Sequence, residues 1–383
     1  MKVADLQRDE ALRRREFPAC ARGAFLAHAG VSPLPRAAAE AMVAYIQRAA
    51  TEDQEAAAPA GQLLRRCRHL AAKLLGCEDS AISLVGPTSL GLSLVAAGLP
   101  WQPGDNVVFY RGDYPANVAP WLALAERGVE PREIRVWRYG CVTLDDVARR
   151  VDDRTRLIAI SSAHFLTGYT PDLEALAAFL RDRGVLLCVD GIQTLGAVRL
   201  PLQHVDFLAA DAHKWLLGPC GAGIFYASAR GRAQLRPVLS GAGNAHCPDY
   251  HIAGALRLKE GAGRYEPGTA FLAGLVGFAA SLQLLLDADR DEIEATVQDH
   301  TRFLRDRLHT QGYELADPEG TRLSGITAFR RGDLDLTRLH GELKAAGFTL
   351  SLRRSPDGRS WLRAAPHFYN TRAELGELLK QLP

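Results

Sequence analysis

Short apolar runs alternate with amphipathic stretches through the first two-thirds of the chain. Ala81–Val85, Val107–Tyr110, Leu157–Ser161, Val185–Val189, Val205–Ala209 and Gly223–Tyr226 are apolar runs of strand length. Stretches with helical spacing lie between them. Pro35 reads as a first-turn proline opening a helix through Arg48, and Leu63–Leu75 carries an apolar stripe that stops at Gly76, a glycine just past a helix end. Pro115–Glu126 reads as a further helix. Thr170-Pro171-Asp172 supplies a cap, a first-turn proline and an acidic first turn for one that ends at Gly184. Strands separated by helices predict right-handed crossovers and a mostly parallel sheet.

The texture changes after about residue 265. Two long helical segments, Leu272–Asp287 and Arg290–Thr310, precede shorter strand candidates at Leu323–Phe329, Phe348–Leu352 and Trp361–Ala364. Thr371 and Glu374 are spaced as a capping box for the last helix. The expected organisation is an α/β protein with an N-terminal segment (1–20), a large domain with a mostly parallel sheet between helices (21–264) and a smaller C-terminal α+β domain (265–383). The longest uncharged apolar stretch, Ala270–Leu286, is broken by Gly274, Gly277, Ser281 and Gln283, so a buried helix is expected rather than a membrane span.

Charge removes two classes of partner. Forty-six basic side chains nearly balance 44 acidic ones, leaving no electrostatic footprint for nucleic acid or for an anionic membrane. The first residues lack the apolar stretch and small-residue cleavage site of a secretory signal. Seven cysteines, an odd number with no Cys-x-x-Cys pair, argue against a disulfide framework or a zinc site. No metal is expected, and a reducing cytoplasm is.

The chemistry gathers around two residues. The run Val185–Val189 leads directly into Asp190, and Lys214 follows shortly after Val205–Ala209. If both runs are parallel strands of one sheet, aspartate and lysine open into one crevice at the strand ends, where α/β proteins bind ligands. A lysine amine can form a Schiff base with an aldehyde, and a carboxylate can keep a pyridine nitrogen protonated; pyridoxal 5′-phosphate (PLP) needs both. Gly86-Pro87-Thr88-Ser89-Leu90-Gly91 follows an apolar run and opens a helix, a place where free N–H groups and the helix dipole attract an anion. Thr88 adds a hydroxyl there, although an ordinary helix cap explains the same residues. Tyr114, after the Val107–Tyr110 run, is placed to lie over a flat ring or to fill a turn. Gln193 stands one helical turn beyond Asp190, and His213 stands beside the lysine.

With these residues the chain resembles the class V aminotransferase family of fold-type I PLP enzymes, which includes cysteine desulfurases, selenocysteine lyases, kynureninase and isopenicillin N epimerase. The resemblance runs from about Phe25 to the C-terminus. It rests on Asp190 with Gln193, on His213-Lys214 with the following Gly218-Pro219, and on Asp113–Trp121. Arg264-Tyr265-Glu266-Pro267-Gly268-Thr269 and Leu362–Thr371 carry it further. It implies that Lys214 is the catalytic Schiff-base lysine and that Asp190 meets the pyridinium. Gln193 would meet the ring oxygen, Tyr114 the ring face, and Thr88, Ser89 and His213 the remaining cofactor contacts. Thr269 would reach the phosphate of a neighbouring subunit, so a homodimer is implied. Arg363 would bind the substrate carboxylate, with His28 and Ala29 of the Phe25–Gly30 loop as further substrate contacts.

Three departures from the family pattern shape the functional expectation. The stacking position holds Tyr114 where desulfurases usually carry histidine. Asp211 replaces a phosphate-site serine and, as an anion, is not assigned to the phosphate. The Ser351–Ser360 segment has no cysteine, which leaves Cys247 as the one loosely placed thiol for a persulfide. The expected activity is transformation of a small amino acid at Cα or Cβ, by amino-group transfer or by β-elimination of the carbon–sulfur lyase type. Epimerisation of the isopenicillin N epimerase type follows, then cysteine desulfuration. A catalytically silent scaffold of the same fold is the non-enzymatic alternative, and the retained lysine argues against it.

Overall fold

The computed structural model describes every residue except Met1, Asp249, Tyr250 and Ala253. Thirteen strands are found among the described residues: β1 (Ala24–Phe25), β2 (Ile82–Ser83), β3 (Asn106–Phe109), β4 (Glu130–Glu133), β5 (Thr155–Ser161), β6 (Leu186–Asp190), β7 (Phe207–Asp211), β8 (Gly223–Ala227), β9 (Glu314–Leu315), β10 (Thr327–Arg330), β11 (Phe348–Thr349), β12 (Ser351–Arg354) and β13 (Ser360–Ala364). Seven of them form the main sheet in the order β2-β8-β7-β6-β5-β3-β4. Strands β7, β6, β5, β3 and β4 run parallel, and β8 is antiparallel to both neighbours. Every residue of β3, β6, β7 and β8 is buried, the pattern of strands covered on both faces.

Most element positions follow the sequence pattern. Helix Arg36–Ala49 starts after Pro35, helix Ala60–Leu75 ends at Gly76 with φ 72°, and the two long helices span Leu272–Asp287 and Arg290–Thr310. Four segments depart from it. Pro115–Glu126 is not one helix but a short turn of helix, Ala119–Leu122, between 3₁₀ segments; Pro120 and the side-chain bonds of Asp113 and Asn117 interrupt the regular ladder. The cap of the next helix is Asp172 rather than Thr170, its carboxylate accepting from Ala175 N. Residues 348–354 form two strands, β11 and β12, in separate sheets. Strand β4, with the sequence Glu-Pro-Arg-Glu, carried no apolar signal because it is a partly exposed edge.

The second sheet is antiparallel, in the order β12-β13-β10-β9, and packs with helices Arg290–Thr310, Leu336–Ala345 and Arg372–Lys380 around Leu304, Leu343, Leu362 and Leu378. The division drawn at residue 265 differs from the observed packing. Helix Leu272–Asp287 lies against Arg36–Ala49 and Ala60–Leu75 of the large body, because small residues admit close approach. A Cβ at Gly277 would stand 2.6 Å from Met42 Sδ. This apolar helix is therefore a core element, and no single helix among the described residues is long and apolar enough to cross a membrane. Conversely, β1 pairs in parallel with β11, and Ala27 bridges Ala365, so the chain's beginning joins the smaller body. The described part of the N-terminal segment is docked as well. Gln7 Nε2 donates to the carbonyls of Phe368 and Asn370 (2.7 Å each), and buried Arg13 pairs with Glu374 at 2.7 Å.

Candidate active site

The carboxyl ends of β3, β5, β6 and β7 bring Tyr110, Ser161, Asp190 and Asp211 to one edge of the parallel sheet. Asp190 is the last residue of β6, opposite Ser161 in register. Its Oδ1 accepts from Ile192 N (3.0 Å), and no group among the described residues donates to Oδ2. Burial, and then the nearby charge of Asp113, push this carboxyl up to about 7. Burial pushes the Lys214 amine the other way, down to about 8, against the pull of Asp190. Nζ of Lys214 lies 5.3 Å from the centre of the Tyr114 ring.

Three successive carbonyls fix the lysine turn. Ser32 N donates to His213 O (2.7 Å), Ser32 Oγ to Lys214 O (2.7 Å), and His367 Nε2 lies 2.9 Å from Trp215 O. Phe368 N donates to Nδ1 of His367, which leaves Nε2 as the protonated nitrogen. Leu217, a branched residue at φ 54°, is held there by Ser281 Oγ at 2.8 Å from its carbonyl. Asp113 seats the tyrosine loop. It accepts from Tyr114 N (2.7 Å), Asn117 Nδ2 (3.0 Å) and Ser161 Oγ (2.6 Å), which ties the loop to the end of β5.

Helix Thr88–Gly98 points its N-terminus into the same region. Its cap residue, Pro87, has no side chain able to satisfy the first N–H groups. Thr88 Oγ1 accepts from Asp211 N (2.9 Å) and keeps its own proton to donate; Ser89 is exposed. A Cβ at Gly86 would stand 2.8 Å from Gly221 O, so only glycine lets this turn lie against the β7–β8 loop. His213 Nδ1 is 3.0 Å from Asp211 Oδ1, yet the angles are not those of a hydrogen bond and both buried atoms are left without one.

Arg363, on β13, is almost wholly buried. One Nη donates to Phe165 O, the other to Ser351 Oγ at 3.3 Å, and Nε has no partner. No carboxylate among the described residues lies within 4 Å of it. Burial and the neighbouring Arg353 push its pKa downward, but a guanidinium does not lose its proton in a protein. A buried cation without an anion is what remains.

Two sequence-based expectations meet a different environment. His28 is fully buried, with Nδ1 2.8 Å from Ala365 O and Nε2 2.7 Å from Tyr369 Oη. Both ring nitrogens are engaged, so His28 braces the C-terminal segment. Thr269 is exposed and lines a separate depression with Arg65, Arg68 and Lys259, away from Asp190, His213 and Lys214 of its own chain. Ala29 is buried beside the site, its carbonyl accepting from Gln193 Nε2 (3.3 Å), and Gln193 Oε1 accepts from Trp215 Nε1 (3.3 Å). Gln193 thus retains one free N–H. A cavity of about 990 Å³ between helix Arg290–Thr310 and the β12–β13 hairpin, lined by Tyr139, His309 and Trp361, contains neither Lys214 nor Asp190. The chemistry is not there.

The model of the class V aminotransferases matches residues 24–375, which include Asp190, Lys214 and Arg363. The chain belongs to the class V aminotransferase family. A probable cysteine desulfurase of Methanothermobacter thermautotrophicus is 27% identical over 96% of this chain and 97% of its own. One of Pseudomonas putida is 30% identical over 82% of this chain and 79% of its own. Among solved structures, the apo cysteine desulfurase of Thermococcus onnurineus superposes with a TM-score of 0.86 at 22% identity, covering 97% of each chain. The cystine C–S lyase C-DES, in complex with its reaction product cysteine persulfide, gives 0.85 at 24%, covering 95% of this chain and 98% of its own. At these identities the structures establish the shared fold-type I architecture. This class V aminotransferase is a PLP-dependent enzyme, and its residues fit the cofactor. An uncapped helix end faces an imidazole with an unpaired nitrogen, and a carboxylate oxygen stands open beside an amine pushed towards neutrality.

Sequence reasoning gave no role to Asp113, Ser32, Ser161, Ser351 or His367. Ser161 was detectable as the last residue of a parallel strand, the position where such sheets bind ligands. Ser32 and His367 hold the backbone of the distant lysine turn, and Asp113 and Ser351 act through side-chain bonds; the local apolar and polar pattern records none of these contacts.

Proposed function

We propose that this enzyme catalyses β-elimination from a small sulfur-bearing amino acid, with no persulfide relay. The Cα proton is removed, the Cβ–S bond breaks, and one water completes the conversion to a thiol, ammonia and a three-carbon keto acid. Bound pyridoxal phosphate supplies the electron sink that makes the Cα proton acidic. Lys214 carries that proton, because burial holds its amine near neutrality, where an acid–base group works best. Asp190 bonds the pyridine nitrogen. Thr88, Ser89, His213 and the helix N-terminus hold the phosphate, with the Asp211 carboxylate compensating the imidazole rather than touching the anion. The free N–H of Gln193 meets the ring oxygen, and Tyr114 covers the ring. Arg363 grips the α-carboxylate with a planar guanidinium already buried and lacking an anion. Ala29 lines the substrate's side of the cleft. Thr269 serves the phosphate of a second copy, which makes the working unit a homodimer, and the cytoplasm is its compartment.

The observation that carries the reading is the hairpin beside Arg363. Strands β12 and β13 join through a tight turn closed by Ser355 N to Arg359 O (2.9 Å), and no residue of this hairpin is a cysteine. Cys20, Cys67, Cys141 and Cys188 are buried, and burial pushes each of these thiols upward, away from the nucleophilic thiolate. With a lysine, a carboxylate anchor and no thiol on the hairpin beside it, elimination needs nothing the site lacks; Cys247, the one loosely placed thiol, lies on the separate 241–248 loop. The names of the curated relatives support chemistry at the Cβ–S bond. Purified holoenzyme is given L-cysteine and L-cystine without an amine acceptor. Catalytic release of keto acid with equimolar ammonia is expected. A single equivalent of keto acid, with the pyridoxamine form left on the enzyme, would establish amino-group transfer instead. Alanine as the product would establish desulfuration.

A further inference from the structure

Arg353 stands on β12, the strand that pairs with the one carrying Arg363. Ser351 lies opposite Arg363 and Arg353 opposite Trp361 in the antiparallel register, so Ser351, Arg353 and Arg363 share one face of the hairpin. That face meets the Phe25–Gly30 loop. A Cβ at Gly30 would lie 3.8 Å from Ser351 Oγ and 3.9 Å from Arg353 Nη2, and Arg363 Nη2 donates to the same Ser351 hydroxyl at 3.3 Å. Arg363 thus bonds the Ser351 hydroxyl, Arg353 approaches Gly30 beside it, and the charges of both are felt by Lys214.

Arg353 is half-buried and poorly satisfied. One Nη donates to the carbonyl of its own neighbour, Leu352, at 2.9 Å, and no carboxylate among the described residues lies within 4 Å. Other arginines of the hairpin are disposed differently. Arg359 pairs with Asp357 (2.6 Å) and Glu314 (3.4 Å), and Arg354 is exposed on the opposite face. A structural arginine would be paired and a solubilising one would point outward. Arg353 does neither.

The charge count within the cleft extends the reading proposed above, on which this inference rests. Arg363 takes the substrate's α-carboxylate, the helix end and His213 take the phosphate, and Asp190 takes the pyridinium. Arg353 is the cation still without an anion. We infer that Arg353 is a specificity residue, recognising a second acidic group (a carboxylate or similar oxyanion) at the far end of the substrate side chain. The preferred substrate is then an acidic amino acid whose terminal charge lies beyond the scissile bond.

Binding of non-reacting probes separates this inference from the reaction type. Succinate and butyrate have chains of equal length, and only succinate carries a second carboxylate. Calorimetric titration of the holoenzyme should show succinate binding roughly ten- to a hundredfold more tightly, the worth of one charge-assisted bond. Arg353→Met should collapse that ratio to near one, Arg353→Lys should keep part of it, and Arg354→Met should leave it unchanged. An equal preference in the Arg353→Met protein, or none in the parent, would overturn the assignment. If Arg353→Met does not fold, the Arg353→Lys and Arg353→Gln proteins give the same comparison. As a second measure, kcat/KM for S-carboxymethylcysteine over S-ethylcysteine should fall by a similar factor in Arg353→Met. Transfer instead of elimination in the product assay would overturn the reaction proposal and leave the binding preference standing.

Discussion

Asp190 is held in a place that disfavours its charge, and substituting it by asparagine exposes the cost. The carboxyl is raised from 3.8 to about 7, mainly by burial and secondarily by Asp113. A raised acid means that the folded protein binds a proton more tightly than the unfolded chain does. Ionisation therefore weighs against folding, increasingly so from about pH 4 to about pH 7, and by a constant amount above that. Roughly three pH units of displacement correspond to about 4 kcal/mol at pH 8, less the attraction that Lys214 loses with its partner. Asparagine keeps an oxygen for Ile192 N and carries no charge. The cofactor-free Asp190→Asn protein should therefore be more stable than the parent at pH 8, by about 2–4 kcal/mol, with most of the gain gone at pH 4. Urea unfolding at both pH values, monitored by tryptophan fluorescence, measures it. Equal or lower stability of the variant at pH 8 would refute the reasoning, because the carboxylate would then be satisfied by the fold itself. The same variant should lose catalytic activity, since a neutral amide cannot hold a pyridinium. Stability is thus sacrificed at a functional position.

Other consequences are as direct. In cofactor-free protein, acylating reagents should label Lys214 half-maximally near pH 8, well below ordinary lysines, and Asp190→Asn should move that midpoint lower still. Because the fold favours the neutral amine, the penalty from Lys214 is complete below about pH 8 and is relieved as pH rises towards the ordinary lysine value of 10.5. Label titrating near 10 would contradict the buried environment. Arg363→Met should raise KM for amino-acid substrates roughly tenfold or more, by loss of a charge-assisted carboxylate contact. An unchanged KM with reduced kcat would remove Arg363 from its anchoring role. Gly86→Ala places a Cβ 2.8 Å from Gly221 O and 2.9 Å from Ala222 C, both backbone atoms that cannot swing away. It should cost about 1–3 kcal/mol in denaturant unfolding and weaken cofactor binding; an unaltered midpoint would show that the loop yields.

The parallel sheet was legible because buried strands leave apolar runs and crossover helices leave amphipathic stripes. Asp190 and Lys214 were found by asking what stands where those runs end. Domain membership was harder to read. Helix Leu272–Asp287 follows the change in texture near residue 265, yet glycines let it pack into the large body. Strand β1 precedes the large sheet and pairs with β11 of the smaller body. No local pattern records either docking. His28 looked like a substrate contact because it sits in an active-site loop, but loop membership does not say which way a ring points; here it turns inward to Ala365 and Tyr369. Arg353, Arg354 and Arg359 look alike in sequence; the register of β12 against β13 separates Arg353 from Arg354, and ion pairs with Asp357 and Glu314 set Arg359 apart.

The decisive measurement is a peptide map of the holoenzyme after borohydride reduction. The chain has only six lysines, at positions 2, 73, 214, 259, 344 and 380, so a fixed pyridoxyl group is assigned without ambiguity. The label is expected on Lys214 alone, and Asp190→Asn should reduce its yield while leaving its position unchanged. A pyridoxyl group on any other lysine, or none on Lys214 in protein saturated with the cofactor, would contradict the account.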